Sequence, residues 1–394
     1  MADHEGFRED TRRWLDANAP PSMHTPPRSP DDICWGGRQT RYPDDVKRWL
    51  DVMAERGWTA PTWPREYGGG GLSKAEAKVL AEEMAKLRLR PPLTGFGLSM
   101  IGPLLLQAGN DELKRVHIPP IVRGEIRWCQ GYSEPGAGSD LAGLHTRAIR
   151  DGDDFVLNGQ KVWTSYGDRS DWMFILVRTD FEAPKHAGIT FLLMDMESPG
   201  VTVRPIKLIS GYSPFCETFL TDVRVPVHQV VGQVNGGWQL AKALLGHERT
   251  MIADAFRERD EGCRMVDLAR RHLGADGGRV GDPMLRDRMA QIEMDQACLD
   301  LTLARARDAA RVGHQPGPES SIFKLYGTEL NQRRRELLVA ILGPQALGWE
   351  GPGFADDELK ITRDWLRSRG NTIEGGTSEV QLNIIAKRVL GLPD

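Results

Sequence analysis

Ser133-Glu134-Pro135-Gly136-Ala137-Gly138-Ser139-Asp140 is the stretch on which the reading of this chain turns. Two glycines, a proline and two serines in so short a run specify a loop with an unusual backbone path. Glycine reaches positive φ and lets another surface approach the main chain closely. Successive N–H groups in such a turn form a concave anion-binding nest, and Ser133 and Ser139 add hydroxyl donors. Alone, the octapeptide is equally well an ordinary polar turn. The segment that follows shifts the balance. Between Asp154 and Trp163 an Asn158-Gly159 pair stands between two apolar stretches, which predicts a hairpin. That hairpin delivers Trp163-Thr164-Ser165 to a strand end. A nest, an indole and two hydroxyls together suit a large, flat, polar cofactor.

Outward from this centre, the texture of the chain changes twice. Up to residue 125 the pattern is helical, with Val46, Leu50 and Met53 at helical spacing before Gly57 and a capping-box signature at Ser73–Glu76. From 126 to 232 the runs are short and β-branched or aromatic: 172–177, 189–194 and 219–225. From 233 to 394 helical spacing returns, broken by loops at 274–283 and 313–318. The expected class is α+β: an N-terminal helical domain (1–125), a middle β domain (126–232) and a C-terminal helical bundle (233–394).

Composition bounds the function. With 394 residues the chain has room for two or three domains. A net charge of -4 and a pI near 6.2 argue against a nucleic-acid partner. The short basic groups Arg270-Arg271 and Arg333-Arg334-Arg335 read as solvated helix faces. Five widely spaced cysteines without a C-x-x-C pair suit a reducing compartment. No apolar run approaches a membrane span, and the acidic N-terminus lacks a signal-peptide core, so the expected location is cytoplasmic.

Two further features carry chemistry. Ala241, Leu244/Leu245, position 248, Met251/Ile252 and Ala255 form the inward stripe of a helix, and position 248 is Glu248. A carboxylate on an apolar face is costly, and desolvation raises its pKa, the condition of a general base or of a structural salt bridge. Arg249 is adjacent but about 100° around the helix, so it need not neutralise Glu248. Near the C-terminus, Glu374-Gly375-Gly376-Thr377-Ser378-Glu379 joins a Gly-Gly turn to an apolar helix with Thr377 as N-cap.

These pieces, in this order, resemble the acyl-CoA dehydrogenase family of flavoproteins over nearly the whole chain. The resemblance rests on S-E-P-G-A-G-S-D at 133–140, on N-G-x-K-x-W-x-S at Asn158–Ser165, and on G-T-S-E at 376–379. It implies a middle β-barrel or sandwich domain, a C-terminal four-helix bundle and an FAD cofactor. Gln130, Tyr132, Ser133, Gly138, Ser139, Trp163, Thr164, Ser165, Thr377 and Glu379 would bind that cofactor. Ser139, Arg249 and Glu374 would meet the acyl-CoA substrate. Electrons would pass on to an acceptor such as electron-transfer flavoprotein. The assembly would be a homotetramer or homodimer, with a heterotetramer also open.

The family reaction removes hydrogens from Cα and Cβ of an acyl thioester. It needs a base at Cα, donors for the developing enolate oxygen, and a hydride acceptor, which the flavin supplies. Many members carry the base just before the Gly-Thr of the C-terminal motif, where this chain has Gly375. Branched-chain and long-chain members place a Glu at the head of an E-R pair on a bundle helix, as Glu248-Arg249 does here. Glu248 is therefore the expected base, Glu374 the alternative, and the Gly375 N–H the donor to the thioester oxygen. The family's R-x-x-F-G becomes Arg270-Arg271-His272-Leu273-Gly274, and its Q-I-L-G-G becomes Ala340-Ile341-Leu342-Gly343-Pro344. These departures leave open which partner chain would contribute to the flavin site. Gly95, Gly97 and Gly102 fall where the family lines its acyl pocket, and with Gly375 they predict a bulky, branched, long or ring-bearing acyl chain. An acyl-CoA oxidase, or a partner subunit of a heteromeric dehydrogenase, are the alternatives. A nicotinamide enzyme is disfavoured because Gly136-Ala137-Gly138 lacks G-x-G-x-x-G spacing.

Overall fold

The computed structural model describes residues 2–25, 27, 32–245, 261–311 and 317–393. They form two units: Met1–Ile206 with Pro214–Leu244, and Lys207–Ser213 with Leu245–Asp394.

The first unit opens with helices α1 (Ala2–Asn18), α2 (Asp44–Glu55), α3 (Lys74–Lys86), α4 (Gly102–Ala108) and α5 (Asp111–Val122). In α2 the acidic first turn, Asp44 and Asp45, complements the helix dipole, while Val46, Trp49, Leu50 and Met53 turn inward. Gly57, at φ +67, ends it; a Cβ there would lie 2.4 Å from the Gly69 carbonyl carbon. The α3 capping box is present in both directions, from Glu76 N–H to Ser73 Oγ and from Ser73 N–H to Glu76 Oε2. Three cations gather on the buried Glu83 of α3: Arg8 and Arg12 from α1, and Lys86.

Seven strands follow: β1 (Trp128–Gly131), β2 (Arg147–Asp151), β3 (Asp154–Ser165), β4 (Trp172–Arg178), β5 (Ile189–Asp195), β6 (Val201–Ile206) and β7 (Phe215–Pro226). They make one mixed sheet in the order β1-β4-β2-β3-β7-β6, with β5 also paired to β4. β1 and β4 run parallel, while β4–β5, β2–β3, β3–β7 and β6–β7 are antiparallel. β4 and β5 are almost wholly buried, which is why they read as continuous apolar runs rather than alternating ones. β3 and β7 alternate buried and half-exposed positions over much of their length.

The Asn158-Gly159 pair is not a hairpin turn. β3 runs straight through it, and the β2–β3 turn falls at Gly152-Asp153. Gly159 marks a shift of register against β7, and a Cβ there would lie 2.6 Å from the Thr146 hydroxyl oxygen. Glycine thus serves close backbone approach inside a strand, an alternative meaning of an isolated strand glycine. Asn158 uses its side chain to hold Asp222 across the ladder, accepting from its N–H and donating to its carboxylate.

The pocket-volume reading of Gly95, Gly97 and Gly102 is also corrected. A Cβ at Gly102 would lie 2.1 Å from the Trp63 ring, one at Gly97 3.1 Å from Ile121, and one at Gly95 3.2 Å from Trp35. The volume these glycines leave is filled by neighbouring side chains of the chain itself. Around them residues Gly97–Ile101 form a π-turn leading into α4.

Residues 237–245 are helical (α6), with Ala241 and Leu244 buried as the stripe requires. The second unit holds α7 (Glu261–Leu273), α8 (Pro283–Arg311), α9 (Ser320–Leu342), α10 (Asp356–Ser368) and α11 (Ser378–Ile384). Met265, Leu268, Ile292, Leu299, Leu303, Leu337 and Ile341 lie at the core of this bundle. Part of the expected 274–283 loop is a small hairpin, β8 (Ala275–Asp276) with β9 (Arg279–Val280), turned by Gly277 and Gly278, both at positive φ. Arg333-Arg334-Arg335 is not a solvated face. Arg334 is buried and donates to Gln296, while Arg333 and Arg335 pair with Asp295 and Asp364.

Candidate functional site

In the first unit the diagnostic loop leaves the end of β1 and is tied to β3. The Val162 N–H donates to the Ser133 carbonyl at 2.9 Å, and the Lys161 ammonium donates to the Tyr132 carbonyl at 3.1 Å. Glu134 and Ala137 close the turn with two reciprocal backbone hydrogen bonds. The clamp is a buried ion pair, Lys161 Nζ to Glu134 Oε1 at 2.8 Å. The same carboxylate accepts from the His145 and Thr146 N–H groups at 2.6 and 2.8 Å, tying the loop to the start of β2 as well. Burial pushes the Lys161 ammonium down to about 8. Burial also pushes Glu134 upward, but Lys161 and the hydrogen-bond donors outweigh it and hold the carboxyl below the usual range. Sequence reasoning passed over Lys161; the signal was a lysine on the inward side of a half-buried strand.

Neither Gly136 nor Gly138 adopts positive φ, so the loop does not need glycine for its dihedrals. A Cβ at either position would meet nothing within 4 Å. Both, with Ser139, are exposed, whereas Tyr132 is buried edge-on to Phe174 and Phe191. These glycines leave open space beside the backbone.

β3 ends in a strained bulge. Its register against β7 shifts between Lys161 and Thr164, and Trp163 sits there at φ +62 with 54% of its surface exposed. Tyr166, one residue beyond the strand, is at φ +52. A left-handed conformation costs a residue with a Cβ roughly 1–3 kcal/mol, and such strain concentrates at functional sites. Bulges re-aim side chains. Here the indole packs edge-on to Phe215, with centroids 6.0 Å apart. Thr164 turns the other way: its side chain is fully buried and accepts from the Thr218 hydroxyl at 3.2 Å. Of the two hydroxyls expected here, Ser165 alone is partly exposed. The structure thus brings Tyr132, Ser133, Trp163 and Ser165 around one loop-and-strand junction, and withdraws the Thr164 side chain from it.

In the second unit Thr377 is the N-cap of α11, its hydroxyl accepting from the Val380 N–H at 3.2 Å. Glu379 is exposed in the first turn. Glu374 is engaged by two donors, Arg367 Nη2 at 2.6 Å and Asn371 Nδ2 at 2.5 Å. Gly375 and Gly376 follow at φ +64 and +90. Glu248 and Arg249 lie outside the described residues.

The residues present suit a flavin. The open space at Gly136 and Gly138 admits close approach of a ligand to the loop. Gln130 Nε2, at the start of this junction, is buried with no hydrogen-bond partner among the described residues.

Three family models match in succession: acyl-CoA dehydrogenase N-terminal domain over residues 1–125, middle domain over 129–223 and C-terminal domain over 235–390. The chain belongs to the acyl-CoA dehydrogenase family. Acyl-CoA dehydrogenase IpdE1 of Mycobacterium tuberculosis (strain ATCC 25618 / H37Rv) is 36% identical over 395 residues, covering 100% of this chain and 99% of that protein. Among solved structures, the Tcur3481-Tcur3483 steroid ACAD aligns with a TM-score of 0.78 at 31% identity, over 100% of this chain and 98% of that one. The ChsE4-ChsE5 complex from Mycobacterium tuberculosis gives 0.74 at 30% identity, with coverage of 100% and 98%. This acyl-CoA dehydrogenase is an oxidoreductase acting on acyl-CoA, in a family that is generally FAD-dependent. No helix among its described residues is long and apolar enough to cross a membrane.

Proposed function

We infer that this chain binds FAD and desaturates the Cα–Cβ bond of a bulky acyl-CoA to the trans-2-enoyl thioester. The observation that carries the reading is Trp163, an exposed indole in a strained bulge beside a loop whose two glycines face open space. Gln130, Tyr132, Ser133, Gly138, Ser139, Trp163, Ser165 and the Thr164 backbone hold the cofactor from the first unit. Thr377 and Glu379, at the start of α11 in the second unit, are cofactor-binding residues in this proposal as well. FAD, when bound, supplies the hydride acceptor that no side chain can provide.

The chain's own work is proton removal and charge stabilisation. Glu248, which the sequence spacing assigns to the same stripe as Ala241 and Leu244, takes the α-proton. The Gly375 N–H donates to the thioester oxygen as enolate character develops there; one such donor is worth about 10²–10³ in rate. Ser139 and Arg249 meet the acyl-CoA. Glu374 supports the turn from which Gly375 projects, and electrons then pass to an acceptor such as electron-transfer flavoprotein.

With the glycine-volume argument gone, the bulky substrate rests on two supports. One is the placement of the base at Glu248 instead of the position held by Gly375. The other is the likeness to a protein described as a steroid ACAD. The ChsE4-ChsE5 likeness, with the altered segments at 270–274 and 340–344, favours assembly with a second, different chain. Titration with FAD, alone and with candidate partner chains, tests the cofactor: tight uptake with quenching of tryptophan fluorescence, smaller in Trp163→Phe, is expected. A comparison of kcat/KM across butyryl, branched, long-chain and steroid side-chain thioesters tests the substrate. One methylene is worth about 1–3 kcal/mol in a pocket, so the series discriminates by rank. A lead for butyryl-CoA contradicts the bulky-substrate reading.

A further inference from the structure

Lys324 is a buried charge to which the reaction just described assigns no role. It stands on α9 in a polar stripe, Ser321, Lys324, Thr328 and Asn331, that faces the interior of the second unit. Its side chain is fully buried, and its ammonium donates to the Asn371 carbonyl at 3.0 Å. Among the described residues no carboxylate lies within ion-pair distance of it. A buried ammonium without a close counter-charge is costly, so its place has to be held by the structure around it. Burial lowers its pKa, with Glu374, Glu329 and Glu379 opposing that from longer range.

What Lys324 grips is the root of the Glu374-Gly375 turn. Asn371 is buried; its side-chain oxygen accepts from Asn331 at 2.7 Å, and its amide donates to Glu374 at 2.5 Å. Arg367 holds the other Glu374 oxygen. Beyond it, the fully buried Gln381 donates to the carbonyls of Gly375 and Gly376 at 3.2 and 3.4 Å. Gly375 and Gly376 are consecutive residues in the left-handed region, so the direction of the Gly375 N–H is set by these anchors at the two ends of the turn. Lys324 and Asn331, one helical face of α9, form the lower anchor.

We propose that Lys324 is a positioning residue for the reaction: by holding the Asn371 carbonyl it orients the Gly375 N–H toward the thioester oxygen. The inference deepens the reading above and rests on it. It touches no substrate atom itself and acts through the backbone of residues 371–376. Replacing it therefore weakens stabilisation of the enolate far more than it weakens binding of the acyl-CoA.

The test uses the FAD-loaded protein with any partner chain it needs, and a 3-thiaacyl-CoA. The analogue keeps the thioester and acidic α-protons of a substrate, and with sulfur at the β position it has no β-hydrogen to transfer. Ionisation of the bound analogue is read at one fixed pH from its long-wavelength charge-transfer absorbance, and amide exchange is followed over residues 371–376. Lys324→Met is expected to lower the ratio of ionised to neutral analogue at least tenfold, with the analogue's Kd changed less than threefold. Faster exchange should be confined to 371–376. Lys324→Gln, which keeps a donor without the charge, should recover part of the ionisation. An unchanged ratio in Lys324→Met overturns the proposal. So does equal loss of analogue affinity with faster exchange throughout α9, the pattern of a purely structural residue, or failure of both variants to fold. A parent protein that shows no charge-transfer band at all contradicts the dehydrogenase reading itself, and the proposal falls with it.

Discussion

Replacing Lys161 by Met removes the cation from the clamp under the 133–140 loop and leaves the Glu134 carboxylate buried. Breaking a buried ion pair from one side costs about 3–5 kcal/mol, because the remaining charge is uncompensated. Glu134 keeps its two backbone donors, His145 and Thr146, which places the cost near the lower end, about 3 kcal/mol. That is about a hundredfold in the folding equilibrium and about 6–12 °C in the midpoint of the transition that unfolds the sheet. Calorimetry of the purified protein at pH 7, with flavin content measured on the same samples, is the assay. Glu134→Gln in the same chain removes the stranded charge, so the double variant should be less destabilised than the sum of the singles by at least about 1.5 kcal/mol. The pH dependence has a definite sign. Burial puts the folded pKa of Lys161 at about 8, below its unfolded value of about 10.4, so the unfolded chain holds more protons between them. Stability from this group therefore rises with pH across that window, and the rise disappears in Lys161→Met. A cost under 1 kcal/mol, or strict additivity in the double variant, refutes the clamp.

Glu248→Gln should slow flavin reduction by several orders of magnitude while flavin and ligand remain bound, whereas Glu374→Gln, whose parent carboxylate is already engaged by Arg367 and Asn371, should change it modestly; rapid-reaction absorbance decides, and the reverse ranking shows the base to be misassigned. Gly138→Val adds side-chain atoms where a Cβ meets nothing, so the melting temperature should stay within about 1 °C while FAD affinity falls at least tenfold; an unchanged FAD titration contradicts the loop's role. At Glu83, burial pushes the carboxyl up but Lys86, Arg8 and Arg12 outweigh it and hold it below its ordinary value. Its contribution is present above about pH 4.3 and is lost as pH falls through the lowered folded value, so Glu83→Gln should flatten the acid limb of the first unit's stability profile; parallel profiles for parent and variant would count against it.

The layout of the chain was legible because long amphipathic segments and two-side-buried strands leave strong periodic signals. The α3 capping box and the apolar runs of β4 and β5 appear where local chemistry places them. Glycine was the residue whose meaning the sequence carried least well. Asn158-Gly159 matches a hairpin turn locally, but the ladder with β7 and the close approach of Thr146 override that preference. Gly95, Gly97 and Gly102 serve packing against Trp35, Ile121 and Trp63, long-range neighbours that no local pattern reveals. Gly136 and Gly138 proved informative for a reason other than φ, since they leave space unfilled. Buried polar residues were the second blind spot. Lys161 draws no notice in the sequence and Arg334 reads as a solvated cation until tertiary packing supplies their partners, Glu134 and Gln296. The stripe Ser321, Lys324, Thr328 and Asn331 carried a usable signal, polar residues at helical spacing on an inward face.

Anaerobic titration of the FAD-loaded protein, alone and with its candidate partner chain, against a branched or ring-bearing acyl-CoA tests the account most directly. A yellow protein whose flavin absorbance bleaches on adding the thioester, with formation of the 2-enoyl product, is the predicted result. A protein that takes up no flavin in any of these mixtures, or a flavoprotein that stays oxidised with every acyl-CoA tried, would contradict it.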